Sequence, residues 1–151
     1  MIFGVSTTKQ AVFIAETHGA GKTFAVDKVR RVPFQLHQAS DLTDLLKNLS
    51  AIFTPKTKRA NRSVALLKCS GGRFTSALEA IKAEAMTELA ALQNGLSIVE
   101  VRPQSLKKAL GCAADQKWRD RAREMFNENA AHEHWKKGLD GAVAAAYKAA
   151  G

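Results

Sequence analysis

Several short groups of residues in this chain have the types and spacing to act on a phosphate or hold a metal ion. Gly19-Ala20-Gly21-Lys22-Thr23 ends like a phosphate-binding loop. Such a loop needs a glycine where this chain has Glu16, and a helix where the chain continues β-branched and charged, so the segment is read as a hairpin turn. Ser70-Gly71-Gly72-Arg73 is a stronger anion site. It leads into a helix N-terminus, whose unpaired N–H groups and dipole favour negative charge, and Arg73 adds a cation, although a plain tight turn would use the same glycines. Glu84 and Glu88 share a face of that helix and, with Glu16 from a strand, offer carboxylates for a divalent ion. Beside Lys82 they read more simply as an exposed helix face. His132 and His134 have the wrong spacing for metal binding on one helical face, and His18 and His37 are isolated. Cys69 and Cys112 lack metal-ligand spacing and read as reduced thiols.

Charge narrows the partners. The net charge is +9, and such a surface attracts polyanions, of which nucleic acid is the commonest in a cytoplasm. Two basic clusters stand out. Lys56, Lys58, Arg59 and Arg62 lie in an acid-free connection, and residues 102–123 hold seven basic side chains against Asp115 and Asp120. No apolar run approaches the ~20 residues of a membrane span, and the start MIFGVSTTKQ lacks a signal-peptide pattern, so a cytoplasmic location without membrane contact is expected.

These side chains must be positioned by a mixed sheet. Val64 to Cys69 is an apolar run, Ser76 to Gln93 a helix with Leu78, Ile81, Ala85, Leu89 and Leu92 on its apolar stripe, and Leu96 to Val101 another strand stopped by Pro103. Two strands joined by such a helix form a parallel crossover. Upstream, Ile2 to Ser6, Ala11 to Glu16 and Thr23 to Pro33 read as strands, the third an edge with a charged face. Ser40 or Asp41 caps a helix to about Phe53, buried through Leu42, Leu45, Leu46, Leu49 and Phe53. Pro103 opens a helix ending at Gly111, and Asp115 caps another with Trp118, Ala122, Met125 and Phe126 on its stripe. A last, alanine-rich helix starts near His134 and packs through Trp135, Leu139, Ala142, Val143 and Ala146. Trp118 and Trp135 are assigned to the core. At 151 residues and 46% hydrophobic, one domain over 1–151 is expected.

The order β-β-β-α-β-α-β followed by helices resembles the RNase H-like fold. The run VEVRPQSLKKALGCAADQKWRDRAREMF and the closing LDGAVAAAYKAA resemble the corresponding parts of RuvC-type Holliday junction resolvases, with IFGVSTT in place of the first-strand motif. Small bacterial proteins of this fold are a second point of likeness. The resemblance implies an α/β domain with a five-stranded mixed sheet, three antiparallel strands then two parallel, flanked by helices. It also implies a homodimer and a DNA partner rather than RNA, branched in the resolvases. Their chemistry is hydrolysis assisted by two Mg²⁺ ions held by clustered carboxylates.

This chain departs from that cluster. Aligned with the family acids are Ser6 in the first strand, Lys68 at the end of the fourth strand, Asp140 on the last helix and Val143 three residues on. Lys68 either fills the metal position and pairs with Asp140, or reaches solvent. The reading put first is therefore a nucleic-acid-binding protein with a degraded metal site. Its contacts are Lys56, Lys58, Arg59, Arg62, Arg73, Lys107, Lys108, Lys117, Arg119, Arg121 and Arg123. Two alternatives stay open. One is an active endonuclease using Mg²⁺ or Mn²⁺ on Asp140 with a relocated Glu84 or Glu88, and the other is a protein-interaction module on the same fold.

Overall fold

The structure, a computed structural model, describes residues 1–55, 61–69 and 77–151. The Ser70-to-Arg73 turn and the basic residues Lys56, Lys58 and Arg59 lie outside the described residues.

Five strands form one sheet in the order β3-β2-β1-β4-β5: β1 Ile2–Thr7, β2 Ala11–His18, β3 Ala25–Pro33, β4 Ser63–Leu67 and β5 Ser97–Val101. β1 pairs antiparallel with β2 and parallel with β4. β2–β3 is antiparallel and β4–β5 parallel. This is the predicted sheet, with β3 as the charged edge. A single 3-10 turn, Gly21–Thr23, joins β2 to β3, so the Gly-Lys-Thr string is a hairpin connection followed by a strand.

Strand alternation sends two sets of side chains to opposite faces. Phe3, Val5, Val12, Ile14, Val64 and Leu66 point to a core closed by helices α1 (Ala39–Phe53) and α2 (Leu78–Gln93). The other face carries Ala11, Phe13, Ala15, Ala65 and Leu67. It is covered by α3 (Pro103–Ala109), α4 (Trp118–Met125) and, centrally, α6 (Leu139–Ala150), with the short α5 (Asn127–Ala130) leading from α4. Small residues on both sides let α6 lie close. A Cβ on Gly4 would run into the carbonyl of Ala142, and one on Gly141 would meet Leu67 and Ser6.

Four details differ from the expectation. The N-cap of α1 is Gln38, and Asp41 instead reaches back to accept from the N–H groups of His37 and Gln38 at 2.9 and 3.1 Å. α4 starts after Lys117 and not at Asp115. Trp135 is buried as expected, but in a separate 3-10 turn, Trp135–Lys137. Gly138, at φ 153°, then lets the chain change direction into α6.

The fourth difference concerns α2. Its leucine stripe faces out, with Leu78 62%, Ile81 46%, Leu89 38% and Leu92 63% exposed, while Ala80, Ala83, Glu84, Thr87, Ala90 and Ala91 face the protein. Leu45, Leu49 and Phe53 of α1 already fill that core, and the alanine face of α2 closes over it.

Replacing Gly4 by valine is expected to lower unfolding stability by about 3 kcal/mol or more, the upper end of overpacking costs, because a backbone carbonyl stands in the way. Urea unfolding of Gly4→Val checks this.

Candidate nucleic-acid interface

β1 and β4 run parallel and end side by side, so Ser6 and Thr7 come level with Leu67 and Lys68 at one sheet end. The start of α6 arrives over the same ends. The result is a cleft of about 560 Å³ whose lining includes Ser6, Thr8, Lys9, Lys68, Trp118, Arg119, Lys136, Lys137 and Asp140. Three of the four positions that the resemblance sets against the family acids, Ser6, Lys68 and Asp140, thus meet in one cleft, whereas Val143 is buried in the core beneath it. Ser6 Oγ donates to the carbonyl of Gly138, tying the end of β1 to the turn before α6.

The carboxylates near this cleft are matched with cations. Lys68 Nζ binds Glu84 and lies 2.7 Å from Glu88, with Glu100 at 3.9 Å. Glu84 also accepts from the N–H of Cys69 at 2.8 Å. Burial works against the charge of Lys68, but the hydrogen bonds and negative charges of Glu84 and Glu88 outweigh it and raise its pKa above the ordinary lysine value. Burial likewise opposes the charge of Glu84. Lys68 and the Cys69 contacts overcome it and hold the carboxyl below its ordinary value.

Asp140 is matched separately. Arg119 Nη1 reaches its Oδ2 at 2.7 Å, and the N–H of Gly141 donates to its Oδ1 at 2.7 Å. The Arg119 guanidinium also lies over the Trp118 ring, 4.3 Å from its centroid. Two expectations are thereby corrected. Lys68 pairs with Glu84 and Glu88 and not with Asp140, and Glu84 is buried and not part of a solvated helix face. A divalent ion needs several oxygens around one point. Among the described residues no three His, Cys, Asp or Glu side chains are so grouped, and Asp140 faces a different cation from Glu84 and Glu88. As arranged among the described residues, these carboxylates do not present the several oxygens around one point that Mg²⁺ or Mn²⁺ takes.

The basic residues singled out in the sequence divide. Arg119 lines the cleft, and Lys108, Lys117 and Arg123 are exposed on α3 and beside or on α4. Lys107 is held by the carbonyl of Ala114 at 2.6 Å, and Arg121 by the carbonyl of Leu110 at 3.0 Å and by Glu124. Arg62 stands at the other end of β4 from the cleft, donating to the carbonyl of Phe53 at 2.6 Å. Lys9, Lys136 and Lys137 were not singled out, yet all three line the cleft, and among the described residues none has an acidic partner. Only the Lys136-Lys137 pair, just before Gly138 and Asp140, left a sequence signal. Trp118, assigned to the core, packs half-buried against it and also lines the cleft.

No family model and no curated protein matches the chain. Solved structures do. Thermus thermophilus RuvC in complex with Holliday junction substrate aligns with a TM-score of 0.70 at 16% identity, covering 97% of this chain and 90% of that one. A second Thermus thermophilus RuvC structure aligns with a TM-score of 0.71 at 16% identity, covering 97% and 91%. The chain therefore has an RNase H-like fold of the RuvC type.

The Lys68–Glu84 pair sets a pH dependence. Because the pKa of Glu84 is lowered on folding, its contribution is complete above the ordinary value of 4.5 and is lost as pH falls through the lower folded value. Because that of Lys68 is raised, its contribution is complete below 10.5 and is lost only as pH rises through the higher folded value. Lys68→Met leaves Glu84 buried without its cation and should cost about 3 kcal/mol at neutral pH. Adding Glu84→Gln should recover part of that loss and flatten the acid limb, as read by urea unfolding from neutral pH downwards.

Proposed function

We propose that the protein binds nucleic acid through this cleft without metal-dependent cleavage, DNA before RNA and branched DNA among its substrates. The observation that carries the reading is the substitution of cations for a carboxylate cluster. Lys68 and Arg119 occupy the charges of Glu84, Glu88 and Asp140, while Lys9, Lys136 and Lys137 stay available at the cleft. A polyanion meets cations there, and no divalent ion is needed to neutralise it. The fold supports the same reading, since the RuvC structure it resembles is a complex with a Holliday junction substrate. Arg119, stacked on Trp118, can meet a phosphate with the N–H groups that its pair with Asp140 leaves over.

Binding to single-stranded and branched DNA should weaken steeply as salt rises, with little dependence on base sequence. Lys136→Gln should reduce the slope of log affinity against log salt by about 0.7 on a single strand, one phosphate contact. Gel-shift titrations over a salt series measure both. Affinity indifferent to salt would overturn the electrostatic account and favour a protein partner.

The homodimer belongs to the same proposal. The exposed stripe of α2 is symmetric about Ala85, with Ile81 and Leu89 four residues to either side and Leu78 and Leu92 seven. An antiparallel copy related by a two-fold axis through Ala85 therefore sets apolar residue against apolar residue along the helix, as an isologous interface requires. A row of exposed leucines on one helix marks such a contact. Sedimentation should give a dimer. Ala85→Glu, placing like charges beside the axis, should give a folded monomer, and a monomeric unsubstituted protein would contradict the interface.

A further inference from the structure

The cleft does not end at α6. A second hollow of about 350 Å³ shares Thr8, Lys9 and Lys137 with it, and a third of about 280 Å³ shares Phe13 and Arg31 with the second. The three form one continuous depression from the ends of β1 and β4, across the start of β2, to the β3 edge. The third hollow is lined by Arg30, Arg31, His132 and His134 and by one acid, Glu133, with Leu139 and Phe13 among its apolar walls.

Two residues that line that last hollow, Arg30 and His134, each carry a buried atom, Nε and Nδ1, without a hydrogen-bond partner. Glu16 lies 3.8 Å from Arg30 Nε, beyond hydrogen-bond reach, and exposed Glu133 lies 3.5 Å from the other nitrogen of His134. Unsatisfied buried polar groups are rare enough to need a reason, and here both belong to residues that line the same hollow. Arg31 is exposed and, among the described residues, has no acidic partner. Close packing builds the depression. Gly138 sits on the Phe13 ring with no room for a Cβ, which brings Lys136 and Lys137 down beside the start of β2.

We infer that a nucleic-acid strand leaving the cleft continues over Lys9 and Lys137 and places a backbone phosphate in the hollow of Arg30, Arg31, His132 and His134. The inference rests on the nucleic-acid reading above and adds a second contact region on a separate part of the sheet. Guanidinium and imidazole N–H groups suit a phosphodiester, and a succession of hollows that share lining residues suits a chain of phosphates better than a single small anion.

The test compares fluorescence anisotropy of labelled oligothymidylates of about 5 and about 15 nucleotides, the shorter sized for one hollow and the longer for a full strand path. The unsubstituted protein should bind the longer strand more tightly. Arg31→Gln combined with His132→Gln, both exposed positions, should weaken the longer strand about tenfold and leave the shorter within about twofold, with a shallower salt slope for the longer strand only. Arg31→Glu alone, with circular dichroism to confirm folding, should give the same selective loss. Equal losses on both lengths, or none on either, would overturn the extended path while leaving binding at the cleft intact. Failure of the unsubstituted protein to bind either strand would overturn both.

Discussion

The close seat of α6 on the sheet is the constraint on which the rest depends. Gly4 leaves no room for a Cβ beneath Ala142, Gly141 lies against Leu67 and Ser6, and alanines line the helix face between them. Because α6 comes down this far, its first turn reaches the ends of β1 and β4, and Asp140 enters the cleft from above. The turn at Gly138 carries Lys136 and Lys137 to the same place. A bulkier helix would stand off the sheet, and these cations would lose their shared cleft.

Within that cleft charge compensation is divided between the two sides of the sheet. Lys68, at the end of β4, serves the α2 side and neutralises Glu84 and Glu88, while Arg119, from α4, serves the α6 side and neutralises Asp140. Glu84 and Glu88 share one cation, and Asp140 has another. Three further lysines have none of these acids to match, so the cleft presents a net positive field to solvent. Such a field suits binding of a phosphate chain.

Most of the fold was legible because it rests on local patterns. Apolar and β-branched strand runs, the edge character of β3, the parallel crossover and the alanine-rich α6 all follow from residue types in sequence order. What was illegible depends on a choice between two acceptable faces or on distant partners. On α2 the leucine stripe and the face of Ala80, Ala83, Ala90 and Ala91 lie half a turn apart, and periodicity cannot say which one α1 will meet. Side-chain pairing was harder still. That Asp140 would find Arg119 depends on where α4 crosses α6, and that Arg62 would spend its hydrogen bond on Phe53 depends on how α1 ends beside β4. The convergence of Ser6, Lys68 and Asp140 was readable only through the resemblance, whereas Lys9 carried no local signal strong enough to separate it from a generally basic surface.

The central claim is that the cleft binds nucleic acid and does not cut it. The most direct measurement is a cleavage assay on branched and single-stranded DNA and RNA with Mg²⁺ and Mn²⁺, beside binding to the same substrates, with Asp140→Asn as control. The account predicts binding without cleavage in either metal. Metal-dependent cleavage that Asp140→Asn abolishes would contradict it and would mean that Asp140 exchanges Arg119 for a metal ion when substrate is bound.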